Sequence, residues 1–135
     1  MFLYNKESNL VSVSNSILKH FTGKTLNPSH LELDQILSEK EYKKVVVMLF
    51  DGLGKSIRQT HLSKNDFLRK KEVFEITSVF PPTTVAATTS FLSARYPNET
   101  GWLGWQQYFK QHDRVVEMFT NIDADKKEKL PPSTI

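Results

Sequence analysis

A chain of 135 residues can hold one domain with a sizeable core, and is too short for two ordinary ones. Hydrophobic residues at 39% and charged residues at 24% exclude a disordered tail and fit a folded domain. Lys and Arg number 18 against 15 acidic residues and are scattered, which argues against a nucleic-acid stripe and a stable nucleic-acid complex. The absence of cysteine removes disulfides, thiolate zinc ligands and cysteine nucleophiles. The first ten residues lack the layout of a signal peptide, and the longest aliphatic run, Val45 to Phe50, is far short of the ~20 residues of a membrane helix. The expectation is a cytoplasmic protein without a membrane partner.

Leu10, Val13, Ile17, Leu18 and Phe21 recur at helical spacing, with Ser8 or Asn9 as cap and Gly23 as stop. His20 on this helix reads as a surface or satisfied residue rather than a ligand. Ser29 to Glu32 has the Ser-x-x-Glu pattern of a capping box, opening a short helix through about Ser38 over Leu33, Ile36 and Leu37. Val45 to Phe50, six apolar residues rich in β-branching and without alternation, predict a strand covered on both faces, as in a parallel sheet. Asp51-Gly52-Leu53-Gly54 follows at the C-terminal edge of that strand, where open α/β sheets place their ligands.

A helix is predicted from about Lys55 to Leu68, a polar break at Arg69 to Lys71, and a second strand from Glu72 to Phe80. Pro81-Pro82 ends that strand, since neither proline donates to a ladder. Thr83 or Thr84 opens a helix through about Ala94, which leaves through the turn-rich Tyr96 to Gly101. Trp102 to Phe109 reads as an aromatic loop packed on the domain, its tryptophans filling core, and Arg114 to Thr120 as a third strand. The order of elements predicts one α/β domain over 1–135, with a mostly parallel sheet flanked by helices.

Two residues draw chemical interest. Asp51, beside a Gly-x-Gly, has room for a ligand to approach, although aspartate in such a place also caps the next helix. Thr84 stands at a helix N-terminus, where N–H groups and the helix dipole attract phosphate; threonine there also serves as a simple cap. A hydroxyl becomes a nucleophile near neutral pH only with a base or a metal, and no histidine lies near Thr84 in sequence.

The apolar strand ending in Asp51-Gly52, then Thr84, then Tyr96-Pro97 to Gly101, resembles the alkaline phosphatase superfamily. It is closest to the type I phosphodiesterase/nucleotide pyrophosphatase branch, over about Val45 to Trp105. The resemblance implies an alkaline-phosphatase-like core, a small phosphoester or nucleotide substrate, and two divalent metal ions, zinc in that family. It makes Asp51 a metal ligand and Thr84 both a metal ligand and the catalytic nucleophile, passing through a phosphothreonine intermediate. Phosphomonoesterases and phosphomutases belong to the same superfamily.

The chain departs from that pattern in two places. Val85-Ala86-Ala87 stands where nucleotide pyrophosphatases carry Phe-Pro-Asn, and Trp102 to Gln107, just after Gly101, holds no Asn, with Gln106 a candidate substitute. Beyond Gly101 the Asp and His residues are only His112, Asp113, Asp123 and Asp125, at spacings unlike the family's second ligand set. The expectation is therefore an N-terminal half of the catalytic domain, apparently truncated, able to self-associate through an exposed sheet edge. A non-catalytic interaction module, or a nucleotide-binding domain without chemistry, is the alternative.

Overall fold

The computed structural model describes residues 7–132. Helix α1 (Leu10–Thr22) starts and stops where its signals lie. The Asn9 side chain accepts from the N–H groups of Val11 at 2.8 Å and Ser12 at 3.0 Å, and Gly23 ends the helix in the left-handed region at φ 70°. Its deepest face is not the predicted apolar one: Val11, Ser12, Asn15 and Ser16 are buried, while Phe21 is half exposed. The reason is hydrogen bonding. Asn15 Oδ1 accepts from the N–H groups of Leu26 and Asn27 at 2.8 and 2.9 Å, and its Nδ2 donates to the carbonyls of Val11 and Ala94, both at 2.9 Å. Ser16 Oγ pairs with both the N–H and the carbonyl of His30. Burial of a polar face is tolerated because its partners are backbone groups that need satisfying.

Helix α2 (Leu31–Ser38) begins one residue beyond the predicted capping box. His30 is the cap, its Nδ1 accepting from the Leu33 N–H at 3.3 Å, and Ser29 instead donates to Asp34 at 2.7 Å. His30 is itself buried, its Nε2 lying 3.1 Å from Ser8 Oγ and its ring stacked on Phe74 at 4.3 Å between centroids.

The parallel sheet expected from Val45–Phe50 and Glu72–Phe80 is not what the described residues form. Residues 45–50 carry no ladder, and Val46, Met48 and Phe50 are 87%, 69% and 54% exposed. Residues 72–80 make a single parallel bridge, Asn9 to Thr77, in which Thr77 donates to Ser8 and Leu10 donates to Thr77. A strand apolar on both faces is stable only between neighbours, and no strand lies beside 45–50 among the described residues.

The predicted helix after Gly54 divides into α3 (Lys55–His61) and α4 (Phe67–Lys70), the second of which takes in the expected polar break. Ion pairs Lys55–Glu75 and Arg58–Glu72 fasten α3 to the 72–80 segment. Helix α5 (Thr84–Ser93) packs on α1 around Leu10, Val11, Val79 and Ala86, with Phe91 and Tyr96 closing the cluster. Helix α6 (Pro97–Thr100) is the predicted exit turn, ended by Gly101 at φ 74°.

The sheet is a small antiparallel one of three strands in the order β1-β2-β3, made of Gln106–Phe109, Arg114–Glu117 and Ile122–Asp123. Gln107 faces Val116, and Val116 in turn faces Asp123. Half of the segment read as an aromatic loop is thus strand β1, paired with the predicted third strand. The molecule is a mixed helical and antiparallel-sheet structure, and no described helix is long and apolar enough to cross a membrane.

Candidate functional site

Asp51 stands in the turn that closes the 45–50 run, and Gly52 beside it takes φ 68°, a conformation that a Cβ disfavours. The next helix, α3, has Gly54 as its N-cap and no side-chain cap. Asp51 is therefore not capping it.

Thr83 and Thr84 divide their work. Thr83 is the N-cap of α5: its Oγ1 accepts from the Ala86 N–H at 3.2 Å and donates to the Leu103 carbonyl at 3.0 Å. Thr84 is the first helical residue, and its hydroxyl donates instead to Asp51 Oδ2 at 3.0 Å, across 33 positions of sequence. The two residues singled out in the sequence meet. Of the first-turn N–H groups, that of Ala86 is taken by Thr83, and it is the helix dipole that gives the end of α5 its affinity for negative charge.

The pair opens onto a cleft of about 940 Å³ between the 47–54 segment and residues 74–78, floored by Ala87, Thr88 and Phe91 of α5. Lys55 and Arg58 line the same cleft, and sequence reading passed over both. Their signal was position: four and seven residues beyond Asp51 places both on one face of the helix that follows it.

Of the remaining Asp and His residues, Asp123 and Asp113 are committed locally. Asp123 is buried, accepts from the N–H groups of Asp125 and Lys126 at 3.1 and 3.0 Å, and faces Arg114 at 3.8 Å. The Lys126 N–H foremost, then that of Asp125 and the Arg114 charge, hold its carboxyl below the usual carboxylate range against the opposing effect of burial. Asp113 accepts from the Tyr108 hydroxyl at 2.8 Å, a bond that raises the Tyr108 phenol above its ordinary value. Among the described residues, no three His, Asp or Glu side chains come together as a metal cluster. Gln106 lies on β1 beside Glu117 and does not line the cleft. Its neighbour Gln107 has the structural task instead, donating to the Gly101 carbonyl at 2.8 Å and accepting from the Leu103 N–H at 3.1 Å.

The tryptophans also part company. Trp102 is half-buried against Phe119, while Trp105, expected in the core, is 56% exposed. No protein-family model, curated protein or solved structure matches this chain.

Proposed function

We propose that the Asp51–Thr84 pair is the nucleophile and metal-ligand part of a phosphoester hydrolase site of the alkaline-phosphatase type. The 3.0 Å hydrogen bond between the two side chains carries this reading, because Thr84 is spared the capping task by Thr83. An aspartate and a hydroxyl side by side at the wall of an open cleft, at a helix N-terminus, suit a phosphate with a metal counter-charge.

A carboxylate and a hydroxyl are a fitting donor pair for zinc, yet catalytic zinc takes about three protein ligands. The reading therefore requires further ligands from polypeptide beyond the described residues. The resemblance assigns two zinc ions, held in part by Asp51 and Thr84, whose charge would favour the alkoxide form of the threonine.

This chain's own part in the reaction is positional. The first turn of α5 orients the phosphoryl oxygens. Thr84 Oγ1 forms a bond to phosphorus as the bond to the leaving oxygen breaks, giving a phosphothreonine ester; the threonine proton passes to solvent and the leaving oxygen takes one from water to become the free alcohol. The Asp51 carboxylate aims the hydroxyl beforehand by accepting its proton in a hydrogen bond. Water then attacks phosphorus and breaks its bond to Thr84 Oγ1, releasing the phosphoryl group as phosphate, with the water's hydroxyl on phosphorus and a proton returned to the threonine.

Acid-quenched mass spectrometry of the protein together with the polypeptide that completes its ligand set, after incubation with zinc and bis(p-nitrophenyl) phosphate, tests this reading. An adduct on the peptide containing Thr84, absent in Thr84→Ala and strongly reduced in Asp51→Asn, is the expected result. Undiminished hydrolysis by Thr84→Ala would overturn it. A second reading, a non-catalytic interaction module of the same half-domain, draws on the exposed 45–50 run; adduct formation excludes it.

A further inference from the structure

His30 is almost wholly buried, at 1% exposure, and both nitrogens of its ring are committed. Hydrogen bonding fixes which of them carries the hydrogen. The Ser8 hydroxyl has one hydrogen to give and donates it to the Glu75 carbonyl at 2.9 Å. Its oxygen, 3.1 Å from Nε2, is therefore the acceptor there, and Nε2 is the donor. On the other side Nδ1 accepts from the Leu33 N–H at 3.3 Å, so it carries no hydrogen. The ring is neutral and in one tautomer.

The three bonds all point one way. The Leu33 N–H gives to Nδ1, the Nε2–H to Ser8, and the Ser8 O–H to Glu75. The chain starts in the first turn of α2 and ends on the 74–78 wall of the cleft, where the Phe74 ring stacks on His30. Bonds that run head to tail polarise one another, so the ring holds both ends more firmly than separate bonds would.

A proton on Nδ1 would change one end only. Nδ1 then becomes a donor and can no longer accept from Leu33. An acceptor already stands beside it, for Glu32 Oε2 is 3.3 Å away. The Nε2–H still donates to Ser8, and positive charge on the ring strengthens that bond. The elements around the ring bring other charges, most of them paired elsewhere. Lys19 of α1 and Asp34 of α2 pair with each other at 2.6 Å, while Glu72 and Glu75 turn to Arg58 and Lys55. Glu7, the residue before Ser8, adds negative charge on that side.

We propose that His30 is an acid-sensitive latch. With a neutral ring it caps α2 through Leu33; with a proton on Nδ1 it releases that cap, takes Glu32 as its partner and keeps its hold on the cleft wall. Imidazole is the side chain whose charge changes between about pH 5 and pH 8. Asn, Ser, Asp and Thr, the usual N-caps, accept throughout that range, so histidine is what makes this helix end switchable. The latch acts whatever the cleft binds.

Nitrogen-15 spectra of the imidazole rings and amide hydrogen exchange test the latch in the intact chain. At about pH 8 the His30 ring should show the Nε2–H tautomer; the Nδ1–H tautomer would overturn the assignment. From about pH 8 to pH 5 the protection factor of the Leu33 amide should fall about tenfold, the order of one lost hydrogen bond. The Thr77 amide, which donates to the Ser8 carbonyl, should keep its protection. Glu32→Gln removes the charge of the waiting acceptor and should move the Leu33 transition to lower pH. His30→Asn supplies a cap that does not titrate and should make Leu33 protection independent of pH.

Leu33 protection that stays constant over this range in the wild type overturns the latch, as does a transition unmoved in Glu32→Gln or persisting in His30→Asn. Equal losses at Leu33 and Thr77 overturn it too, because they would report general unfolding rather than release of one cap. Should His30→Asn fail to fold, the wild type and Glu32→Gln decide between them.

Discussion

At Asn15 a single buried amide satisfies the N–H groups of Leu26 and Asn27 and the carbonyls of Val11 and Ala94. Asn15→Leu keeps the branched shape and removes every one of those bonds, leaving two backbone N–H groups without their acceptor. Each such orphan costs ~1–3 kcal/mol, so the variant should lose about 3 kcal/mol in urea unfolding. A loss below about 1 kcal/mol would show that water reaches those groups. Nothing in the sequence marks Asn15, since its amide's partners lie 11 and 79 positions away. Asp51 and Thr84 were easier to notice, because residue type and place in the chain both mark them. That Thr83, and not Thr84, does the capping was hidden: either hydroxyl reaches the first turn, and only the position of Leu103 decides between them.

Among the elements, helix ends were legible wherever a cap is local. Asn9 and Gly23 bound α1, and Gly101 stops α6, through contacts spanning four residues or fewer. Strands were not, because a strand is defined by its neighbour. The 106–109 segment becomes β1 only by pairing with Arg114–Glu117, and the strongest strand pattern in the chain, 45–50, finds no partner among the described residues. An unpaired apolar run of this kind is a template for pairing with another chain. The protein should therefore self-associate as its concentration rises, and Val46→Lys combined with Met48→Lys should return it to the monomer in sedimentation velocity. Identical profiles for the two proteins would mean that this run is not the contact. The substituted side chains are exposed, so folding should change little.

Over the whole molecule, two carboxylates tie the helical and sheet parts to pH in the same sense. Burial pushes the Asp34 carboxyl up, but hydrogen bonds from Lys19, Ser16 and Ser29 outweigh it and hold the group below its ordinary 3.8. Asp123 is lowered by the Lys126 N–H and its companions. A carboxyl lowered on folding contributes stability that is complete above the unfolded value and is lost as pH falls through the folded one. The stability gap between the wild type and Asp34→Asn or Asp123→Asn should thus be full at pH 6 and close below about pH 4. A gap that stays constant to pH 2 would exclude these carboxylates as the source. The Thr83 hydroxyl, finally, has two masters: the first turn of α5 on one side and the carbonyl of Leu103 on the other. Any pull on the loop that carries Leu103 therefore acts on the residue that caps α5 and stands next to Thr84.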